Sequence, residues 1–109
     1  MSEETYESCL TGEYNMDKEA VEFIIQIYKL GGEEAIKQAK QLWDAMPKEV
    51  LTVVGVLASW GLADKIKELL KPVWGSLLEI IVAMILGLGV AAILLALTAA
   101  VECLPKLAD

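Results

Sequence analysis

The feature that most constrains this chain is the apolar segment Val73–Val101, in which Glu79 is the only ionisable side chain. The 22 residues from Ile80 to Val101 carry no charge. As a helix they would rise roughly 33 Å at about 1.5 Å each, close to the hydrocarbon thickness of a bilayer. A helix that is apolar on every side needs cover on every side. The rest of a 109-residue chain is too small to supply that cover, so we expect lipid or other copies to provide it.

Charge divides the chain into an acidic front and an apolar back. Residues 1–49 contain eleven acidic residues and five lysines, whereas residues 50–109 contain five acidic residues and four lysines. Hydrophobic residues make up 56% of the chain, more than in most soluble domains. We therefore predict two regions: an acidic, amphipathic helical front at 1–46 and a hydrophobic helical hairpin at 47–109.

The composition also argues against several classes of function. The chain has no histidine, the commonest general base and metal ligand, so we predict no enzyme, no metal site and no cofactor of the usual kinds. All nine basic residues are lysine, and the net charge is −7. Sequence-specific nucleic-acid binding is therefore not expected, because a polyanion is repelled and no arginine is present to contact bases or phosphates in a bidentate manner.

Two amphipathic helices are predicted in the front region, after an irregular arm or single helical turn over 1–14. The first runs over about 16–30, with Asn15 as its cap, and ends at Gly31-Gly32. The second runs over 33–46 and ends before Pro47. The apolar residues that repeat at helical spacing in the first helix are Val21, Ile24, Ile25 and Tyr28.

The back region predicts a helical hairpin. Val50–Ala63 is an uncharged stretch of fourteen residues, short for an untilted membrane span. Residues 64–71, DKIKELLK, would form the polar tip, and the second helix would run back without interruption through Val73–Val101. The predicted fold class is all-α, with two amphipathic N-terminal helices followed by a hydrophobic helical hairpin.

Small residues recur at four-residue spacing in the long apolar segment. This spacing allows the backbones of neighbouring helices to approach closely in lipid. We predict that both rows pack against other helices. The first row is Ala83, Gly87 and Ala91, and the second is Ala92, Ala96 and Ala100.

Cys9 and Cys103 lie near opposite ends of the chain. Two thiols without histidine are too few for a zinc site, and neither has a histidine base to activate it. A disulfide that joins the two ends of the chain is the interpretation we favour. Two unrelated buried thiols are the alternative.

Glu79 and the tryptophans each have two interpretations. Glu79 could handle protons or ions inside a membrane, or it could reach the headgroups or Lys71 from the polar end of its helix, which we prefer. Trp60 and Trp74 flank the polar tip, as residues of a membrane-interface aromatic belt would. Core packing is the alternative for both, as it is for Trp43.

Over residues 47–104 the chain resembles the hairpin of conjugative pilins, the small inner-membrane proteins of type IV secretion that polymerise into a tube. An apolar helix, a short lysine-bearing tip and a second apolar helix rich in Gly and Ala carry the resemblance. It implies a homo-oligomeric filament that contains membrane lipid and works with secretion or import machinery. Lys65, Lys67 and Lys71 would then line the channel or face lipid headgroups.

The same resemblance implies a membrane protein before assembly and an extracellular pilus afterwards. Scarce Asn with abundant Glu and Lys would suit a heat-adapted archaeal relative used for DNA exchange. The acidic N-terminus departs from the long cleaved leader of the family. Two other functions also fit the sequence: a small non-polymerising membrane protein, such as a holin-like or pore-forming protein or a membrane-complex subunit, and a soluble all-α module with a hydrophobic pocket.

Overall fold

A computed structural model describes residues 2–107, and all regular structure within that range is helical. The predicted all-α class is therefore confirmed. A π-helical turn at Cys9–Glu13 follows the first helix, and 3₁₀ turns occupy Gly75–Leu77 and Leu104–Leu107. The α-helices are α1 (Ser2–Ser8), α2 (Lys18–Asp44), α3 (Lys48–Ser59), α4 (Ala63–Trp74), α5 (Leu78–Leu88) and α6 (Val90–Glu102).

The front of the chain is more helical than its sequence pattern predicts. The expected irregular arm or single helical turn instead contains the longer helix α1 followed by the π-helical turn. Asn15 does not cap α2: its φ is 53°, in the left-handed region that asparagine tolerates better than most residues, and Asp17 occupies the N-cap position. Gly31 and Gly32 have non-helical backbone angles within α2, so the break between its two amphipathic halves lies where the sequence places it.

The apolar segment Val73–Val101 is not one helix, and that prediction is wrong. Gly75, with φ 52° and ψ −125°, ends α4, and Gly89, with φ 86° and ψ 155°, separates α5 from α6. Glycine adopts such positive φ values without steric cost. A uniformly apolar sequence gives no periodic signal at either turn, which is why the breaks were missed.

The polar residues 64–71 lie inside α4 and do not form the predicted tip. The turn that joins α3 to α4 comes earlier, at residues 60–62, where Gly61 has φ 70°. One face of α4 is buried through side chains spaced four residues apart, namely Ile66, Leu70 and Trp74. An amphipathic helix therefore occupies the place of a polar loop.

One hydrophobic core joins the front and back of the chain. α2 packs mainly against α6 and also contacts α5, so that Ile24 and Ile36 share a core with Ile85 and Leu97. The radius of gyration, 13.5 Å, is close to the ~13 Å expected of a compact domain of this length. A separate amphipathic front beside a free-standing hairpin is thus not confirmed.

Candidate functional site

A disulfide and a buried hydrogen bond fasten the N-terminal helix α1 to the end of α6. Cys9 and Cys103 are paired, with their Cα atoms 5.9 Å apart, as the sequence predicts. The Tyr6 hydroxyl donates a hydrogen bond to the carbonyl of Ala100 at 2.7 Å, between buried groups. Because α6 ends at Glu102, that carbonyl belongs to the last turn, where carbonyls lack helical partners. Burial, and secondarily the charge of Glu33, raises the pKa of Tyr6, so Tyr6 remains a neutral donor.

The carboxylate of Glu13 lies beside the disulfide, a neighbour that the sequence analysis missed. Its Oε2 atom is 2.9 Å from Sγ of Cys9. Cys9 and Glu13 are the first and last residues of the π-helical turn, and their four-residue spacing was the only available signal. Sγ of Cys9, Sγ of Cys103 and a carboxylate oxygen of Glu13 all lie within 4.8 Å of one another.

The three lysines proposed for a lumen or headgroup surface have different surroundings. Nζ of Lys67 lies 3.3 Å from Oε1 of Glu79 in an ion pair. Lys65 and Lys71 are exposed. The side chain of Glu79 is 75% exposed, so this carboxylate is accessible. Its ion-pair partner is Lys67 and not Lys71, one of the two partners expected; contact with headgroups stays a prediction.

The second row of small residues packs largely within the molecule. Ala96 and Ala100 are buried in the core, and Ala92 is partly buried. Ala92 and Ala96 line a groove together with Ala20 of α2, and the carbonyl of Ala100 accepts the hydrogen bond of Tyr6 from α1. Small side chains allow such close approach of neighbouring helices.

The first row does not lie along one helix, because Gly89 separates Ala83 and Gly87 on α5 from Ala91 on α6. All three residues are exposed. Gly87 nevertheless has neighbours on one side. A Cβ atom added to it would lie 3.4 Å from Cε2 of Phe23 and 3.4 Å from Oε2 of Glu19. Ala83 and Ala91 are therefore the members of this row best placed to meet another molecule.

The structure separates the tryptophans into two groups. Trp43 and Trp74 are buried, and their ring centroids lie 6.3 Å apart at an interplanar angle of 59°. The core interpretation is correct for these two. Trp60 is 68% exposed, so of the two tryptophans that flank residues 64–71 only Trp60 retains the aromatic-belt interpretation.

Large apolar side chains are exposed mainly in the back half of the chain. Of the eleven exposed large hydrophobic residues in the described range, nine follow Pro47. Leu95 is 75% exposed and Val73 is 54% exposed. The nine are Val53, Val56, Trp60, Leu62, Leu69, Val73, Leu86, Leu94 and Leu95.

The exposed hydroxyl groups of α3 add little polarity to this surface. The Thr52 hydroxyl donates to the carbonyl of Lys48 at 2.9 Å, and the Ser59 hydroxyl donates to the carbonyl of Val56 at 2.7 Å. Both groups thus have a donor bond within their own helix, the arrangement that serine and threonine adopt in apolar surroundings. Beyond its first turn, α3 presents a nearly apolar outer face.

Two further features bear on the type of protein. By length and composition alone, the helical stretch Ala63–Leu88 is long and apolar enough to cross a membrane, although Gly75 interrupts its helical geometry. A groove of about 200 Å³ with a largely apolar lining is small beside the roughly 300–1,000 Å³ of typical small-molecule sites, and two shallow grooves of about 350 and 370 Å³ have charged residues in their linings. The apolar lining of the smallest of these grooves consists of Met16, Ala20, Leu88, Ala92, Leu95 and Ala96.

Comparisons with known proteins found no match to this chain among protein families, curated proteins or solved structures. What the protein does must therefore be inferred from its own surfaces. One candidate surface is the set of large apolar side chains exposed in the back half of the chain.

Proposed function

We propose that this protein is a structural subunit that polymerises from a membrane-inserted precursor into a helical, lipid-associated pilus of the conjugative or DNA-transfer type. One observation carries the proposal: Leu86, Leu94 and Leu95 are exposed on α5 and α6, within a segment that contains no charge from Ile80 to Val101. Water solvates such a surface poorly, and contiguous apolar patches mark sites of protein or membrane contact.

The exposed small residues favour other copies of the chain as part of the cover. Ala83 and Ala91 lie on the surface of the same charge-free segment as the exposed leucines. Small residues allow a helix of a second subunit to approach closely, while the leucines supply apolar contact area. When the two contacting surfaces differ and the rotation between copies does not close a ring, such contacts generate an open helical filament.

The remaining surface features are consistent with such a filament. Lys65 and Lys71 are exposed and would line the lumen or contact lipid headgroups, together with the Lys67–Glu79 pair. The disulfide suits an extracellular filament, because such bonds persist in oxidising compartments. In this proposal, bound lipid and secretion or import machinery are the partners.

A small non-polymerising membrane protein is the second candidate, either a holin-like or pore-forming protein or a subunit of a membrane complex. The apolar length of the stretch Ala63–Leu88 favours it, since lipid alone could then cover the exposed leucines. The two candidates differ in one respect that can be observed: only the first requires regular contact between copies.

Electron microscopy of the purified protein with lipid distinguishes these candidates, and substitutions in the first small-residue row sharpen the test. Ala83→Leu and Ala91→Leu should block tube formation, because each adds a large side chain where a second helix would pack. Neither should unfold the subunit, since both alanines are exposed. Gly87→Leu is a poorer choice, because its new side chain would also meet Phe23 within the subunit.

Ala45→Leu is the matched control, because Ala45 is exposed in the front region. It should assemble like the wild-type protein. Membrane-bound protein that forms no tubes under any lipid condition would refute assembly from subunit and lipid alone and favour the second candidate. Tubes of normal dimensions from both Ala83→Leu and Ala91→Leu would show that subunits do not meet at this row.

A further inference from the structure

Three potential metal ligands meet where α1 joins the end of α6. We propose that, once the disulfide is reduced, Cys9, Cys103 and Glu13 bind a thiophilic divalent cation of the zinc class. This departs from the expectation that two thiols are too few for such a site, because Glu13 adds a third ligand. The three ligand atoms already lie within 4.8 Å of one another, and Cys103 comes from a part of the chain distant from the other two. This site does not depend on the proposed filament.

The position of the Glu13 carboxylate is the first reason. Its oxygen lies 2.9 Å from Sγ of Cys9, yet a disulfide sulfur carries no proton and cannot donate a hydrogen bond. After reduction, a thiolate and a carboxylate this close repel each other unless a proton or a cation lies between them. A bound cation converts this repulsion into two attractive contacts.

The geometry of the two cysteines is the second reason. Tetrahedral zinc, with Zn–S bonds of about 2.3 Å, holds its two sulfurs about 3.8 Å apart. The Cα atoms of Cys9 and Cys103 are 5.9 Å apart, so side-chain rotation can open the sulfurs to that separation without moving the helices. Glu13 supplies a third ligand at its normal distance of about 2.0–2.2 Å, and water completes the tetrahedron.

Charge balance is the third reason. Two thiolates and one carboxylate carry three negative charges, of which a divalent cation neutralises two. Lys106 borders the same cleft as Cys9 and Glu13 and supplies the remaining positive charge. Cys9 and Cys103 are buried, whereas Glu13 is exposed, and buried thiolates are tolerated when their charges are compensated.

Reduction and metal binding form a balanced sequence. An external dithiol donates two electrons and two protons, breaks the sulfur–sulfur bond and is itself oxidised to a disulfide. The cation then displaces the two thiol protons. Because the same sulfurs cannot serve both bonds, the cation and the disulfide exclude each other. The cation would keep α1 joined to α6 in a reducing compartment, where the disulfide does not persist.

Cobalt titration of the whole reduced protein, freed of dithiol by gel filtration under nitrogen, tests the site. The expected result is one Co²⁺ per chain with a sulfur-to-cobalt charge-transfer band, displaced by Zn²⁺ and missing from the oxidised protein. Cys103→Ser should abolish the band. Glu13→Gln should weaken binding at least tenfold. Glu102→Gln should not, because this carboxylate precedes Cys103 in sequence but does not belong to the group of ligand atoms within 4.8 Å of one another.

Several outcomes would overturn the proposal. One is a reduced protein that keeps its helical circular dichroism but gives no charge-transfer band. Another is equal affinity in wild type and Glu13→Gln, because the site would then consist of thiolates alone. If reduction removes helical structure, zinc must restore it, and failure to do so also refutes the site. None of these measurements depends on whether filaments form.

Discussion

Replacing Tyr6 by phenylalanine isolates the contact that holds α1 against α6 beside the disulfide. The substitution removes one hydroxyl and keeps the ring, so packing is nearly unchanged. Tyr6 is 0% exposed, and its hydroxyl donates to the Ala100 carbonyl at 2.7 Å. Without this donor the carbonyl stays buried in a last helical turn that offers it no helical partner.

The expected loss of unfolding free energy is about 1–3 kcal/mol, the usual consequence of leaving a buried polar group unsatisfied. A loss of about 2 kcal/mol lowers the Tm of a small domain by roughly 10 °C. Thermal and urea unfolding, followed by circular dichroism with the disulfide intact, measure it. Tyr14→Phe is the control, because Tyr14 is 43% exposed, and it should change stability by less than about 0.5 kcal/mol.

The pH dependence provides an independent test of the same contact. Burial raises the pKa of Tyr6 in the folded protein above its usual value of about 10 in the unfolded chain. The contribution of Tyr6 to stability is therefore complete below about pH 10 and is lost as the pH rises further, since the unfolded chain releases its proton first. The slope approaches about 1.4 kcal/mol per pH unit, and Tyr6→Phe should lack this component.

Two results would refute this reasoning about Tyr6. One is a Tyr6→Phe variant as stable as Tyr14→Phe at neutral pH, which would mean that the hydrogen bond contributes nothing. The other is an alkaline loss of stability that is equally steep in wild type and Tyr6→Phe, which would mean that other groups cause it.

Three further predictions concern stability. Reducing the Cys9–Cys103 bond in metal-free protein should lower the unfolding free energy by about 4–5 kcal/mol, because the bond links residues 94 positions apart; a change below about 1 kcal/mol in urea titrations would contradict this. Glu79→Gln should lower the unfolding free energy by less than about 1 kcal/mol in the same assay, since exposed ion pairs contribute little to stability. A larger loss would mean that the Lys67–Glu79 pair belongs to the core. Trp74→Ala should lower the unfolding free energy by about 3–5 kcal/mol, whereas Trp60→Ala should change it by less than about 0.5 kcal/mol. Similar losses of stability for the two variants in thermal unfolding would mean that Trp60 is not a surface residue.

The candidate surfaces could be predicted only in part from the sequence. The pairing of Cys9 with Cys103 followed from there being just two cysteines. The position of Glu13 beside these cysteines could not be predicted, because the contact depends on a π-helical turn that has no recognised sequence signal. Likewise Glu79 was expected to reach lipid headgroups or Lys71, whereas its ion-pair partner is Lys67, since the turn at Gly75 changes which part of α4 lies beside α5.

The sequence by itself determined the all-helical class, the break at Gly31-Gly32 and the segregation of charge, because amphipathic spacing and glycine pairs act locally. The tertiary structure alone decided that Val73–Val101 turns at Gly75 and Gly89, and which of its residues face outward. A segment that is apolar on every side lacks the alternation of polar and apolar residues that marks a buried helix face, so its sequence cannot show which face is exposed. Packing of the other helices against α5 and α6, α2 foremost, makes that choice: Ala96 and Ala100 are buried, whereas Ala83, Ala91 and Leu95 stay on the surface.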